Sequence, residues 1–417
     1  MSSQSASRTL RSEVALPPLA TIAGALRKTT EFLARELMNP SNEPPLWNEF
    51  EWRVARAVTA MQGVSSLLAN VLRWQRPNAW LHFLNGQRTQ SIARHRHIAQ
   101  LLEQINAAAR RRGIALVALK GAALAEFAIY KPGERPMGDI DLLVRGNDVA
   151  AAAQLVTACN YVEASCTYRH RSFKPRATKP STKIGEHIEN PINIELHTRV
   201  AEYLPILETE ITRHLFPRDA HAGINPYPSI ASLLLHLLLH AAGNIRGRGL
   251  RLIQLHDIAL LGARMRPSDW GELASASADA RGLWWALAPL VLVQKYYPMT
   301  IPDAFVRSIE PGCPWLLSRT ARRHRLADVS WSNIHIQAFP GIEWSKSPRE
   351  AFAFAFSRVW PSRAALEELR AGVETMPSTS VPWYGIAHGE RILRWVFSKP
   401  PRVQTIHSVR LALAHEH

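Results

Sequence analysis

Asp139 and Asp141 stand two residues apart at the head of an aliphatic run, Gly138-Asp139-Ile140-Asp141-Leu142-Leu143-Val144. Such a run reads as a buried strand, in which side chains alternate faces. The two carboxylates therefore point the same way, roughly 7 Å apart along the chain. Like charges on one face of a core strand repel one another and call for a counterion. Hard carboxylate oxygens suit a divalent cation such as Mg²⁺, and a phosphate substrate completes its shell. The pattern thus implies metal-assisted phosphate chemistry. A third acid would close the cage. Pro191-Ile192-Asn193-Ile194-Glu195-Leu196-His197 alternates, so Asn193, Glu195 and His197 share a polar face. Glu195 joins the aspartates if its strand pairs beside theirs. Asp139, Asp141 and Glu195 are then the catalytic acids and the metal ligands. Two cations could sit there, one activating an attacking hydroxyl and one neutralising a triphosphate and its leaving group.

The elements that must position these acids differ in texture. Residues 1–18 are Ser-rich and end in Pro17-Pro18, which reads as a flexible leader. Residues 19–112 are mostly helical, closing on a stripe of Ile98, Leu101, Leu102 and Ile105 with Gly113 as the stop. Residues 113–200 form the candidate core: a strand over 114–119, a break at Lys120-Gly121, a helix over 122–130, a loop at Pro132-Gly133 and Pro136, the Asp139 strand, and a helix over 148–158. Residues 166–185 carry Arg169, Arg171, Lys174, Arg176, Lys179 and Lys183 with no acid among them, which predicts an exposed basic loop or ragged hairpin. Residues 201–325 return to helix, with Ser229 as a cap, glycines 243, 247 and 249 as punctuation, and helices expected over 250–261, 270–280 and 283–296. Residues 326–417 form an aromatic-rich extension with Trp331, Trp344, Trp360, Trp383 and Trp395. The expected class is α+β: a small mixed sheet held between large helical N- and C-terminal regions.

Composition narrows the partners. The chain has 417 residues and a net charge of +16, from 50 Lys+Arg against 34 Asp+Glu. That excess favours polyanions such as nucleotides, nucleic acid or phosphorylated substrates, or simply follows from an Arg-rich composition. Cys159, Cys166 and Cys313 form no CxxC pair, which argues against a disulfide scaffold or a zinc site. The first residues lack the apolar run of a secretory signal. The longest apolar run, 283–293, is broken by Pro289 and too short to span a bilayer, so no membrane partner is expected and the cytoplasm is the expected location.

A family resemblance sharpens the chemistry. Leu119-Lys120-Gly121-Ala122-Ala123-Leu124, then Tyr130, Pro132-Gly133 and Arg135-Pro136-Met137-Gly138-Asp139-Ile140-Asp141-Leu142-Leu143-Val144, resembles a bacterial nucleotidyltransferase family of the DNA polymerase β-like superfamily. Ile194-Glu195-Leu196-His197 looks like its third-acid strand. The helical segment 234–241 and the one after it, with His256-Asp257, look like its later helices. The resemblance covers roughly residues 90 to 300. It implies the polymerase β-like core, Mg²⁺, and transfer of a nucleoside monophosphate from a nucleoside triphosphate to a hydroxyl or phosphate of a peptide or protein, an RNA or a small molecule. Where the superfamily holds the triphosphate with a Gly-Ser turn, this chain has Lys120-Gly121-Ala122. Gly121 could offer backbone N–H groups to phosphate, Lys120 and Arg135 could add charge, and Gly138 borders the acids.

Each residue has a plainer competitor. Asp139 could cap a turn, Glu195 could be solvated, Lys120 could stand exposed at a strand end, and Arg135 could bond loop carbonyls. His197 reads as a supporting or core histidine. His236 and His240, at i and i+4 on a leucine-rich helix, read as buried hydrogen-bonded groups better than as zinc ligands. The altered turn leaves a nucleotide-sugar donor open on the same scaffold. A non-catalytic RNA- or nucleotide-binding protein of the toxin–antitoxin type is the remaining alternative.

Overall fold

The structure is a computed structural model, and it describes residues 16–75, 77–167, 170–177, 183–276, 282–361, 393, 395 and 400–414. Nearly all of the expected leader, together with Arg169, Lys179 and Trp383, lies outside the described residues.

Four helices come first: α1 (Leu19–Met38), α2 (Glu49–Gln62), α3 (Ser65–Val71) and α4 (Asn78–Arg111). Helix α2 shows how local chemistry sets their ends. The Asn48 side chain accepts from Glu51 N at 2.9 Å, and Glu51 accepts in return from Asn48 N at 3.1 Å. Gly63 closes the helix in the left-handed conformation, φ +69°. Helix α4 buries Ser91, Arg94, Ile98, Leu101 and Ile105 along one stripe.

The core then alternates: β1 (Ala115–Ala118), α5 (Gly121–Glu126), β2 (Asp139–Val144), α6 (Val149–Ala158), β3 (Tyr161–Cys166), β4 (His170–Pro175) and β5 (Asn193–His197). A small hairpin, β6 (Ala201–Tyr203) and β7 (Glu208–Glu210), precedes β8 (Gly223–Asn225). The main sheet has the order β3-β4-β5-β2-β1-β8. Strand β2 runs antiparallel to β1 and parallel to β5, and β1 runs parallel to β8. The sheet is therefore mixed, as the sequence predicts.

Alternation sorts each strand between two apolar clusters. Ile140, Leu142, Val144, Ile194 and Leu196 pack with Ile98, Leu101 and Ile105 of α4 and with Leu155 and Val156 of α6. On the other face, Val117, Leu119 and Leu143 join a larger cluster shared by the N-terminal helices and the later ones. Those later helices are α7 (Ile230–Gly247), α8 (Leu252–Gly262), α9 (Pro267–Ser275) and α10 (Leu287–Tyr296). The segments 19–112 and 201–325 thus feed one apolar core.

Several boundaries move for identifiable reasons. The start of the basic segment takes the ragged-hairpin form of the two expected: β3 and β4 pair antiparallel with a register shift between Glu163 and Ser165, and Arg171 pairs with Glu163. Helix α5 stops at Glu126 because Ala128 takes a positive φ of 49°. Helix α7 runs through Gly243, where a Cβ would lie 2.6 Å from Glu202 Cδ, and ends at Gly247 with Arg248 at φ +58°. The helix expected over 270–280 starts earlier, since Pro267 opens it and Asp269 accepts from Arg266 N at 2.7 Å. A short 3-10 turn, Trp284–Ala286, precedes α10.

Gly133 anchors the loop between α5 and β2. Its φ is +79°, and a Cβ there would lie 2.7 Å from Ile92 Cα on α4. Gly133→Ala combines backbone strain with a clash against main chain. It is expected to lower stability by about 2 kcal/mol or more, read as a reduced urea midpoint at unchanged slope.

Candidate active site

The parallel pairing of β2 with β5 brings the acids together. Asp141 stands opposite Glu195 and Asp139 opposite Asn193 in the register. On the far side of β5, Ser172 faces Glu195 and His170 faces His197. One sheet face therefore carries Asp139, Asp141, Glu195, His197 and His170 at its polar end, while Leu143 continues that face into the apolar core.

Lys120 enters from the turn between β1 and α5. Its backbone sits at φ 49°, ψ −114°, outside the ordinary regions for a residue with a Cβ. Holding that shape costs on the order of 1–3 kcal/mol, and it aims the side chain across the site. Lys120 Nζ donates to Asp141 Oδ1 at 3.1 Å, and His197 Nε2 lies 2.9 Å from the same oxygen. His197 Nε2 is also 3.4 Å from Glu195 Oε2, and His170 Nε2 is 3.9 Å from Glu195 Oε1.

These contacts set the charges. Burial raises the Asp141 carboxyl, but Lys120 and the His197 hydrogen bond outweigh it and hold it well below the usual range. Burial lowers Lys120, but Asp141, Asp139 and Glu195 together keep the ammonium charged. Burial also lowers His197, yet its bonds to Asp141 and Glu195 leave it raised overall. Asp139 behaves differently. It is open to solvent, but the crowded cleft wall and then the neighbouring Asp141 charge push it up to about 6. His170 is lowered, chiefly by burial. His236 and His240 are as expected from the sequence. His236 Nδ1 lies 2.7 Å from Tyr227 Oη, and His240 pairs with Asn244. Burial lowers both, His240 to about 3, so they are neutral.

Asp141, Glu195 and His197 each place one ligand atom within 4.8 Å of the others. The two carboxylates suit a hard divalent cation such as Mg²⁺, whereas an imidazole is a ligand for softer metals and would serve Mg²⁺ only as a hydrogen-bonding neighbour. His197, read from sequence as a supporting residue, is thus inside the group, whereas Asp139 stands outside it on the open side. Lys120 and His197 both contact Asp141 Oδ1, so a cation bound at that oxygen would displace positive charge already there.

Arg135 does not stand free for phosphate. Its Nε and one terminal nitrogen donate to the two Asp257 oxygens, each at 2.8 Å, and Tyr130 Oη donates to Asp257 at 2.7 Å. Gly121 serves this arrangement, since a Cβ would lie 2.5 Å from an Arg135 terminal nitrogen. At Gly138 a Cβ would meet nothing within 4 Å, which leaves open space beside Asp139. Arg94, buried on α4, was not singled out in the sequence. It donates to Met137 O at 3.0 Å, to His187 O at 3.1 Å and to Asn190 O at 2.6 Å, and its Nε lies 2.9 Å from Glu186. It therefore ties together the loops that lead into both acid-bearing strands. A charge four residues before Ile98 on the apolar stripe was the signal that marked it.

The cleft has two lobes that meet at Lys120 and His240. One, of about 160 Å³, is lined by Glu195, His197, His170 and Arg199. The other, of about 150 Å³, is lined by Gly121, Arg135, Gly138, Asp139, Asp141 and Arg251. A sequence profile of a family described as uncharacterised nucleotidyltransferase matches residues 48–298, more than half of the chain. The chain belongs to this nucleotidyltransferase family. That membership makes it an enzyme of nucleotidyl transfer, and it implies a nucleoside triphosphate as substrate. No curated protein and no solved structure gave a match. Among the described residues, no helix is long and apolar enough to cross a membrane.

Two outcomes follow from this geometry. Asp257→Ala leaves the half-buried Arg135 without its partner and Tyr130 without its acceptor. It is expected to cost about 3–5 kcal/mol in a denaturation titration. Asp139 supplies a pH dependence. Its folded value of about 6 exceeds the ordinary 3.8, so between these values the folded protein binds a proton that the unfolded chain releases. Stability therefore falls as pH rises through that window. In chelator, Asp139→Asn is expected to melt higher than wild type at neutral pH and to lose that advantage near pH 4, by scanning fluorimetry.

Proposed function

We propose that this nucleotidyltransferase moves a nucleoside monophosphate from a nucleoside triphosphate to a hydroxyl or phosphate acceptor, using Mg²⁺ held by the carboxylates of Asp139, Asp141 and Glu195 with His197 beside them. The observation that carries this reading is the in-register placement of Asp141 and Glu195 on adjacent parallel strands, at the mouth of a cleft that Asp139 borders. The cation would supply positive charge for the triphosphate and lower the pKa of an attacking hydroxyl.

The chain's own residues supply the rest. Lys120, kept charged and shared by both lobes, stands where phosphate charge would be neutralised. His170, kept neutral by burial, lies at the edge of the Glu195 lobe and is placed to accept the proton of an acceptor hydroxyl. That oxygen then bonds the α-phosphorus, and pyrophosphate leaves with the bonding electron pair. The Asp139 lobe suits the donor, and the Glu195 lobe suits the acceptor. A protein, an RNA or a small molecule would each satisfy that lobe.

Incubation with each labelled nucleoside triphosphate, Mg²⁺ and a cell extract should release pyrophosphate and label one acceptor class. Asp139→Asn and Glu195→Gln touch side chains that are not fully buried. Each is expected to cut turnover by about 100-fold or more while the far-UV spectrum is unchanged. Undiminished turnover in either variant would refute the assignment, and sugar transfer in place of nucleotide transfer would reassign the donor.

A further inference from the structure

Arg251 was assigned no role in the sequence, yet it lines the Asp139 lobe of the cleft. It is the residue immediately before α8, and its guanidinium is seated by the end of α2. Its Nε donates to Met61 O at 2.8 Å, in the last turn of that helix, where the carbonyl end carries partial negative charge. Gly63 makes the seat possible, because a Cβ there would lie 2.6 Å from an Arg251 terminal nitrogen. Leu252 N, the next donor along, is held by Gln62 Oε1 at 2.7 Å. The arginine is thus locked in place before any ligand arrives.

What it lacks is a carboxylate. In the same lobe, Lys120 is paired with Asp141 and Arg135 with Asp257. Among the described residues, the Arg251 guanidinium has no ion pair; its side-chain hydrogen bond is the one to Met61 O, while its main chain pairs with Gln254 in both directions at 3.0 Å. Burial disfavours its charge, with Glu186 only partly offsetting this, but a guanidinium stays protonated at neutral pH. A fixed, partly desolvated and unpaired cation in a cleft wall is a site for an anion. The open space at Gly138, beside Asp139, adjoins the same lobe.

We propose that Arg251 is a phosphate-binding residue, whose terminal N–H groups grip the oligophosphate tail of the donor in the Asp139 lobe. It takes the part for which Arg135, locked to Asp257, is not free. The inference rests on the nucleotidyl-transfer reading for the identity of the donor, but not for the binding of an oligophosphate. A planar guanidinium suits two phosphate oxygens at once, which a point charge on Lys120 does not.

The test uses the full chain and inorganic tripolyphosphate with Mg²⁺ as the probe, in calorimetry. Arg251→Gln is expected to weaken binding by about tenfold or more. In turnover it should raise KM for the nucleotide by a similar factor while changing kcat little; Arg251→Lys should recover part of the affinity. A purely structural role would instead lower kcat and melting temperature without that KM change. If Arg251→Gln binds tripolyphosphate as wild type does, the inference falls while nucleotidyl transfer stands. If wild type binds it through Arg251 but turns over no triphosphate, the anion site stands and the donor reading falls. If wild type does not bind it at all, the inference falls. Should the variants fail to fold, phenylglyoxal modification of wild type followed by mass spectrometry decides. Tripolyphosphate should protect Arg251, and absence of protection would overturn the assignment.

Discussion

The parallel pairing of β2 with β5 is the constraint on which the site depends. It sets Asp141 beside Glu195 in direct register and places His197 one step further along the same face. Shifting that register by one residue would turn the acids into the apolar layer and expose Ile194 and Leu196. The apolar cluster under Ile140, Leu142, Ile194 and Leu196 opposes such a slip, so the hydrophobic core enforces the geometry of the polar face above it. Close carboxylates on that face would repel, and Lys120 and His197 supply the compensating charge at Asp141.

Around this pair the fold fastens the loops rather than leaving them free. Arg94 holds the segment ahead of β2 and the segment ahead of β5 from one buried side chain on α4. Asp257 holds Tyr130 and Arg135 from α8. Each is a buried charge with several partners, an arrangement costly to break on one side. Asp139 is the exception: it stands exposed in the cleft, and burial of its surroundings with the Asp141 charge raises its pKa.

Much of this was legible in the chain. The apolar alternation of 139–144 and 192–197 made the strands, and the spacing of the two aspartates made their shared face. The resemblance to a nucleotidyltransferase family agrees, at that level, with the nucleotidyltransferase family to which residues 48–298 belong. The hydrogen-bonded condition of His236, which is buried, and of His240, which is half-buried at the cleft, was also readable, because a leucine-rich helix leaves them little else. The basic segment was legible only as a loop or a ragged hairpin; the pairing of β3 with β4, which brings Arg171 to Glu163, decided for the hairpin. His197 likewise looked secondary because its ring's distance to Asp141 depends on pairing between strands far apart in sequence.

The sequence by itself determined which residues alternate, where the acids face relative to their own strands, and the chemistry their oxygens favour. These are local properties, set by strand period and side-chain type. Only the tertiary structure decided which charges are already spent. Arg135 and Arg251 are the same residue type in the same lobe, yet one is locked to Asp257 and the other is paired with no acid among the described residues. No spacing along the chain distinguishes them, because the partner of a buried charge is chosen by packing between distant segments, and burial makes that choice decisive.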